Sequence, residues 1–405
     1  MAGLLLKLGL SLVVLLAVSF QVLLKEMVWL GFGIGKDIQP LSDFPYDCRR
    51  IDDDPRLQAC EDMWLSEKTR VLYLACSDSI ARTRWLPNNH NWNLTGRSQR
   101  DAIIALQIDA PAGKSFEYKV LQTPGYAGTL GDGLLDLTGL TGIDIEGEDR
   151  VELLVVNSRP SIDSATGLLF PDQAAVGGNS TVELFEVRGP RAEGMTHVHT
   201  FADASVTTPN NVALAGGNSR EFYTTNDHGP YKVGLKSHLN MLIGSGEVAF
   251  CSLGKGCKRV SKGHKFPNGL AQHGGSLYVP GSAVGGVQVF RIGEDGDLTK
   301  IEDIPIDYGL DNLSVDANGD LYLAAFPKGV EIFKAFADPF NARPPSTVIR
   351  IRKGDDGKHT WEKVLEDAHG EALPGSTTAL HDAKTGRLFL SSVISPFITV
   401  CEPRS

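Results

Sequence analysis

One short pattern recurs six times along this chain, and no other feature limits its fold as much. Each copy has a polar doublet, a short apolar run, a turn, and a second apolar run that often contains Leu-Tyr or a near equivalent. The copies are EDMWLSEKTRVLYLACS from Glu61, TGIDIEGEDRVELLVVNS from Thr141, NNVALAGGNSREFYTTND from Asn210, NGLAQHGGSLYVPGS from Asn268, DNLSVDANGDLYLAAF from Asp311 and STTALHDAKTGRLFLSSV from Ser376. A further strand is expected after each: Ala102 to Ile108, Thr181 to Val187, Glu247 to Leu253, Gly286 to Ile292, Gly329 to Phe333 and Ile398 to Cys401. Antiparallel units of this size, punctuated by Gly and Asp, argue for an all-β chain folded as a β-propeller, and the six copies predict six blades.

In a propeller the innermost strands line a central channel, so residues at one repeat position converge on one level of it. Asp311 and Asn312 are therefore expected to meet Glu61, Asn210 and Asn268 at the axis. Buried carboxylates must be compensated, since an unpaired buried charge costs several kcal/mol or neutralises itself. A hard cation answers this need. Calcium takes oxygen ligands of the Asp, Glu and Asn type, whereas zinc favours His or Cys. Glu61 and Asp311 balance a divalent charge, and Asn210, Asn268 and Asn312 complete a protein shell that leaves room for water or substrate. Asn312 also heads a glycosylation sequon, which burial would leave unused; Asn93 and Asn179 head sequons in expected loops.

Residues 1–36 differ from the remainder. Leu8 to Leu24 is almost unbroken apolar sequence between Lys7 and Lys25, long enough for a signal-anchor helix in a membrane, with cleavage as the alternative. Residues 37–405 are then expected in the secretory pathway, facing the lumen or extracellular space, or secreted. In that oxidising setting Cys48, Cys60, Cys76, Cys251, Cys257 and Cys401 are disulfide candidates, with more pairings open than spacing can decide. The net charge of −10 argues against nucleic acid as a partner. No nucleophile elbow, P-loop or dinucleotide fingerprint is present.

The ordered motifs CEDMW, STVELFEV, FYTTNDH, FPNGL, LDNLSVD, FPKGVEIF and PGSTTALHDAKTGRLFLSS, from about Cys48 to Cys401, resemble the paraoxonase/arylesterase family of calcium-dependent lactonases. The resemblance implies a six-bladed propeller with a retained N-terminal hydrophobic helix, a disulfide between Cys48 and Cys401, and two calcium ions. The catalytic ion would be held by Glu61, Asn210, Asn268, Asp311 and Asn312, and a deeper structural ion by Asp62, Asn211 and the carbonyl of Ile143. Asn211 stands where the family has Asp, which weakens the deeper site. The family's histidine dyad falls on Thr141 and Ser158, neither of which acts as a base near neutral pH. Asp227 and His228 are retained and are the remaining candidates for proton handling. The implied activity is hydrolysis of a small-molecule lactone or aryl ester, weakened by the missing dyad. The competing expectation is a noncatalytic calcium-binding propeller acting as a membrane-anchored binding module.

Overall fold

The inner strands of six four-stranded antiparallel sheets touch one another in cyclic order, the last against the first, so the sheets stand as blades around one axis. The chain is a six-bladed β-propeller. The computed structural model describes residues 2–52 and 54–404; Met1 and Ser405, the outer limits of the two expected segments, lie outside the described residues. The inner strands are Asp62–Ser66, Leu137–Asp144, Pro209–Gly216, Ala271–His273, Gly309–Val315 and Thr378–Asp382, one from each repeat.

Second strands are covered on both faces by neighbouring blades, which is why they read as unbroken apolar runs rather than alternating ones. Val71–Cys76 and Leu321–Phe326 are buried at every position. Large side chains fill the wedges between blades: Tyr73, Leu153 and Phe185 pack between the first and second, and Tyr278, Leu323 and Ile349 between the fourth and fifth.

The sixth blade closes the ring. Its outermost strand is the N-terminal Tyr46–Ile51, paired antiparallel with the C-terminal Ile398–Pro403, and Cys48 lies directly opposite Cys401. Those two cysteines are bonded across 353 residues of sequence. Cys60 is bonded to Cys76 and Cys251 to Cys257.

One expected strand is not a strand. Gly329–Glu331 forms a 3-10 turn that runs into the helix Ile332–Ala337, and the third strand of the fifth blade is Ser346–Lys353. Val330, Phe333 and Phe336 recur at helical spacing and line a cavity at one end of the channel, so the apolar run serves that wall rather than a sheet. Before the blades, a helix runs from Ala2 to Ser19, through a π turn at Phe20–Leu24, and on through Lys25–Phe32. Lys7–Phe32 is long and apolar enough to cross a membrane.

Candidate metal centre

The repeat doublets reach the axis through a backbone device. In the second, third and fifth blades the inner strand bulges so that two residues face one on its partner. The bulged pairs are Thr138-Gly139, Asn210-Asn211 and Asp311-Asn312. An extra residue in one strand kinks it and re-aims its side chains. In the other blades Glu61-Asp62 and Thr377-Thr378 straddle the start of the inner strand, and Asn268-Gly269 lies just before it. The six first members all line one cavity of about 290 Å³.

The second members pack one level deeper, where space decides their identity. A Cβ at Gly139 would lie 2.7 Å from Asn211 Oδ1, and one at Gly269 would lie 2.6 Å from Asn312 Oδ1.

Four oxygens at the upper level are buried without a hydrogen-bond partner: Glu61 Oε2, Asn210 Oδ1, Asn268 Oδ1 and Asp311 Oδ1. They come from four different blades, and with the two carboxyls ionised all four are acceptors only. The electrostatics agree. Burial, with the neighbouring Asp62, pushes the Glu61 carboxyl up to about 8, against the bond from Asn312. Burial and the charges of Glu61 and Asp62 raise Asp311 well above the ordinary carboxylate range. Two carboxyls and two amide oxygens, desolvated and unpaired, suit a hard divalent cation. Among the described residues no three His, Cys, Asp or Glu side chains converge as metal ligands; this oxygen set is half amide.

Asn312 sits differently from the other four expected ligands. Its Oδ1 accepts from Asn211 Nδ2 at 2.8 Å, and its Nδ2 donates to Glu61 Oε1 at 3.0 Å and Thr378 Oγ1 at 2.9 Å. It fixes the Glu61 carboxylate from below rather than offering a free oxygen. The deeper set offers no unpartnered side-chain oxygen. Asp62 accepts from the backbone N–H of Met63 and of Leu140, both at 2.8 Å, and Asn211 Oδ1 accepts from Val212 N–H at 2.6 Å. Leu140, not Ile143, is the residue beside Asp62. Ile143 lies three residues further along the strand, roughly 10 Å away at the usual rise.

The same displacement corrects Thr141. It pairs with Leu154 and lines a separate cavity with Asp62, Trp64 and His381. That cavity is formed by the later residues of the six parallel-running inner strands, at the other end of the channel. The residue at the doublet position is Thr138, whose buried Oγ1 also lacks a partner. Ser158 is buried one layer behind the cavity, its hydroxyl 3.4 Å from Asn88 Oδ1. Thr138 and Asn88 were not anticipated from the sequence.

Asp227 and His228 are also set back. Asp227 is fully buried, accepting from Asn88 Nδ2 at 2.6 Å and Asn210 Nδ2 at 3.2 Å, while its other oxygen lies 2.6 Å from His228 Nδ1. By holding the Asn210 amide nitrogen, Asp227 turns Asn210 Oδ1 toward the axis. Neither Asp227 nor His228 lines the cavity, so their geometry is that of positioning residues. Of the sequon residues, Asn93 is exposed, Asn179 half-buried and Asn312 buried.

The arylesterase family model matches residues 174–396, more than half of the chain. Serum paraoxonase/lactonase 3 of Oryctolagus cuniculus is 30% identical over 207 residues, covering 49% of this chain and 55% of the relative. The match thus spans about half the length of that relative. Among solved structures, a luciferin-regenerating enzyme aligns with a TM-score of 0.47 at 11% identity, covering 88% of this chain and 95% of that one. A gluconolactonase from Xanthomonas campestris aligns with a TM-score of 0.44 at 14% identity, covering 91% and 97%.

Proposed function

Because this chain belongs to the arylesterase family, we propose that it is a calcium-dependent hydrolase of lactones or aryl esters, working at the upper end of the channel. The observation that carries this reading is the set of four unpartnered oxygens on Glu61, Asn210, Asn268 and Asp311, in a cavity whose remaining wall is largely apolar. Calcium, when bound, would supply Lewis-acid polarisation of the ester carbonyl. Glu61 and Asp311 supply the balancing charge. Asn312 holds Glu61 in place, and the pair Asp227 and His228 holds Asn210. Phe266, Phe326 and Val330 form part of the cavity's apolar wall, and an apolar surrounding strengthens electrostatic interactions beside it.

Proton handling is the weak part of this site. Glu61 and Asp311 are the only titratable side chains lining the cavity among the described residues, so the proton of an attacking water passes to one of them. Thr138 can orient that water and cannot take its proton. General-base assistance by a well-matched group contributes about 10² to 10⁴ in rate. The expected activity is correspondingly low.

We place the propeller on the lumenal or extracellular side of a membrane, anchored by the N-terminal helix. The three disulfides suit an oxidising compartment. A second reading, a noncatalytic calcium-binding module, is favoured by one observation, the absence of any imidazole among the cavity-lining residues. Hydrolysis of a lactone panel and phenyl acetate by the pure chain, with calcium and after chelation, separates the two. Calcium-dependent turnover supports the hydrolase; calcium binding without turnover of any substrate supports the module.

A further inference from the structure

The anchor helix does not stop short of the propeller. Its last turns, within Lys25–Phe32, place Met27, Leu30 and Gly31 in the wall of the cavity that holds Glu61 and Asp311. Leu30 is buried, whereas Trp29 and Phe32 on the same helix are exposed. One face of the segment is thus committed to the cavity.

The contact is built for close approach. A Cβ on Gly31 would lie 3.3 Å from Val330 Cγ1, and one on Gly329 would lie 3.6 Å from Gly31 Cα, so the helix backbone rests directly on the 329–330 turn. Gly33 ends the helix with φ +63°, and a Cβ there would meet the carbonyl oxygen of Pro327 at 2.5 Å. Only glycine serves at that position.

Beyond Gly33 the chain is fastened to the blades. The ammonium of Lys36 lies 2.8 Å from Asp307 and 3.7 Å from the centre of the Tyr308 ring. The backbone N–H of Gln39 donates to Glu366 at 2.7 Å, and its carbonyl accepts from Ala368. A tether that only held the protein at a membrane would need none of these contacts.

We propose that Met27 and Leu30 are specificity-determining residues of the hydrolase site, forming with Val330, Phe333 and Phe336 the wall that receives the apolar tail of the substrate. The anchor segment is then a working part of the site, and tail-bearing substrates bind only when it is in place. This rests on the hydrolase reading for the identity of the ligand.

The test uses the full chain in lipid nanodiscs and two γ-lactones, one with a methyl and one with an octyl substituent. Leu30→Trp and Met27→Trp fill the wall, Leu30→Ala removes bulk without forcing the helix aside, and Phe32→Ala is the exposed control. Filling the wall should raise KM for the octyl lactone about tenfold, the loss expected when two CH2 groups lose their pocket. KM for the methyl lactone, calcium affinity and the control should stay within about twofold, well under one tenfold step of binding free energy. Leu30→Ala should shift the preference further toward the octyl lactone. Calorimetric binding of both lactones is measured alongside turnover. Octyl binding that depends on Leu30 and Met27 without turnover upholds the proposal while the hydrolase reading fails. Turnover with octyl KM unchanged in both Trp variants overturns the proposal while the hydrolase reading stands; a wild-type chain that binds neither lactone overturns the proposal and counts against the hydrolase reading as well.

Discussion

On the proposed calcium reading, the ion-free protein should lose stability as pH rises, and adding calcium should remove that dependence. The argument starts at Glu61, whose carboxyl is pushed from an ordinary 4.5 up to about 8 by burial and by Asp62. Between those values the unfolded chain has released the proton and the ion-free native state still holds it. Native protons exceed unfolded ones, so stability declines with pH, by about 1.4 kcal/mol per unit for one group. Across the window Glu61 accounts for on the order of 5 kcal/mol, and Asp311 is raised in the same direction. The stabilisation by these protonated carboxyls is complete below pH 4.5 and lost as pH climbs through 8.

For a propeller of this size, with an unfolding entropy of about 2 cal/mol/K per residue, that change lowers Tm by about 6 °C. A bound divalent cation takes the place of the protons, so the loaded protein should show little decline. At pH 7 a group titrating near 8 is about nine-tenths protonated, so calcium uptake should release about one to two protons per ion. Differential scanning calorimetry at pH 5, 6.5 and 8, with and without calcium, measures the first quantity. Titration calorimetry in buffers of different ionisation enthalpy measures the second. A stripped protein whose Tm is flat or rising from pH 5 to 8, or calcium uptake without proton release, would falsify the assignment of Glu61 and Asp311 to a cation.

Thr138→His places an imidazole in the cavity and should raise lactone turnover at least tenfold, toward the 10² to 10⁴ that general-base assistance typically contributes; Thr141→His, at the other end of the channel, should leave turnover unchanged in the same assay. Ser158→His overfills a buried site and should cost about 1–3 kcal/mol by denaturant titration, without a rate gain. His228→Phe removes the partner that holds Asp227, so it should weaken calcium binding several-fold while the pH–rate profile keeps its shape; a lost basic limb would instead restore His228 as a proton carrier. Cys48→Ala with Cys401→Ala opens the ring and should cost about 2–5 kcal/mol, read as a fall in Tm with calcium-dependent activity retained at low temperature.

The sequence made the axis legible because a propeller turns repeat position into spatial position. Glu61, Asn210, Asn268 and Asp311 sit at one place in their repeats, so aligning the repeats was enough to bring them together. The second blade shows how that reasoning slips. Its sequence holds two Thr-Gly dipeptides three residues apart, and Thr141 matches Asn210 in distance to the Asn that ends the following strand, Asn157 or Asn226. The second blade, however, spends residues 145–149 in its hairpin turn, where the third spends only residue 217. Counting from the strand end therefore overshoots the bulge, and the true partner of Asn210 is Thr138. The helix at Ile332–Ala337 escaped notice for a related reason, since a five-residue apolar run carries no period long enough to distinguish strand from helix. Which oxygens are free was beyond the sequence altogether. Asn210 and Asn312 are the same residue type at adjacent repeat positions, yet one turns an unpaired oxygen to the cavity and the other is bonded through both its polar atoms. The difference is made by Asp227, which strand register, pairing Pro209 with Asn226, sets beside Asn210. A carboxylate there accepts from the amide nitrogen, and the amide oxygen is left facing the axis.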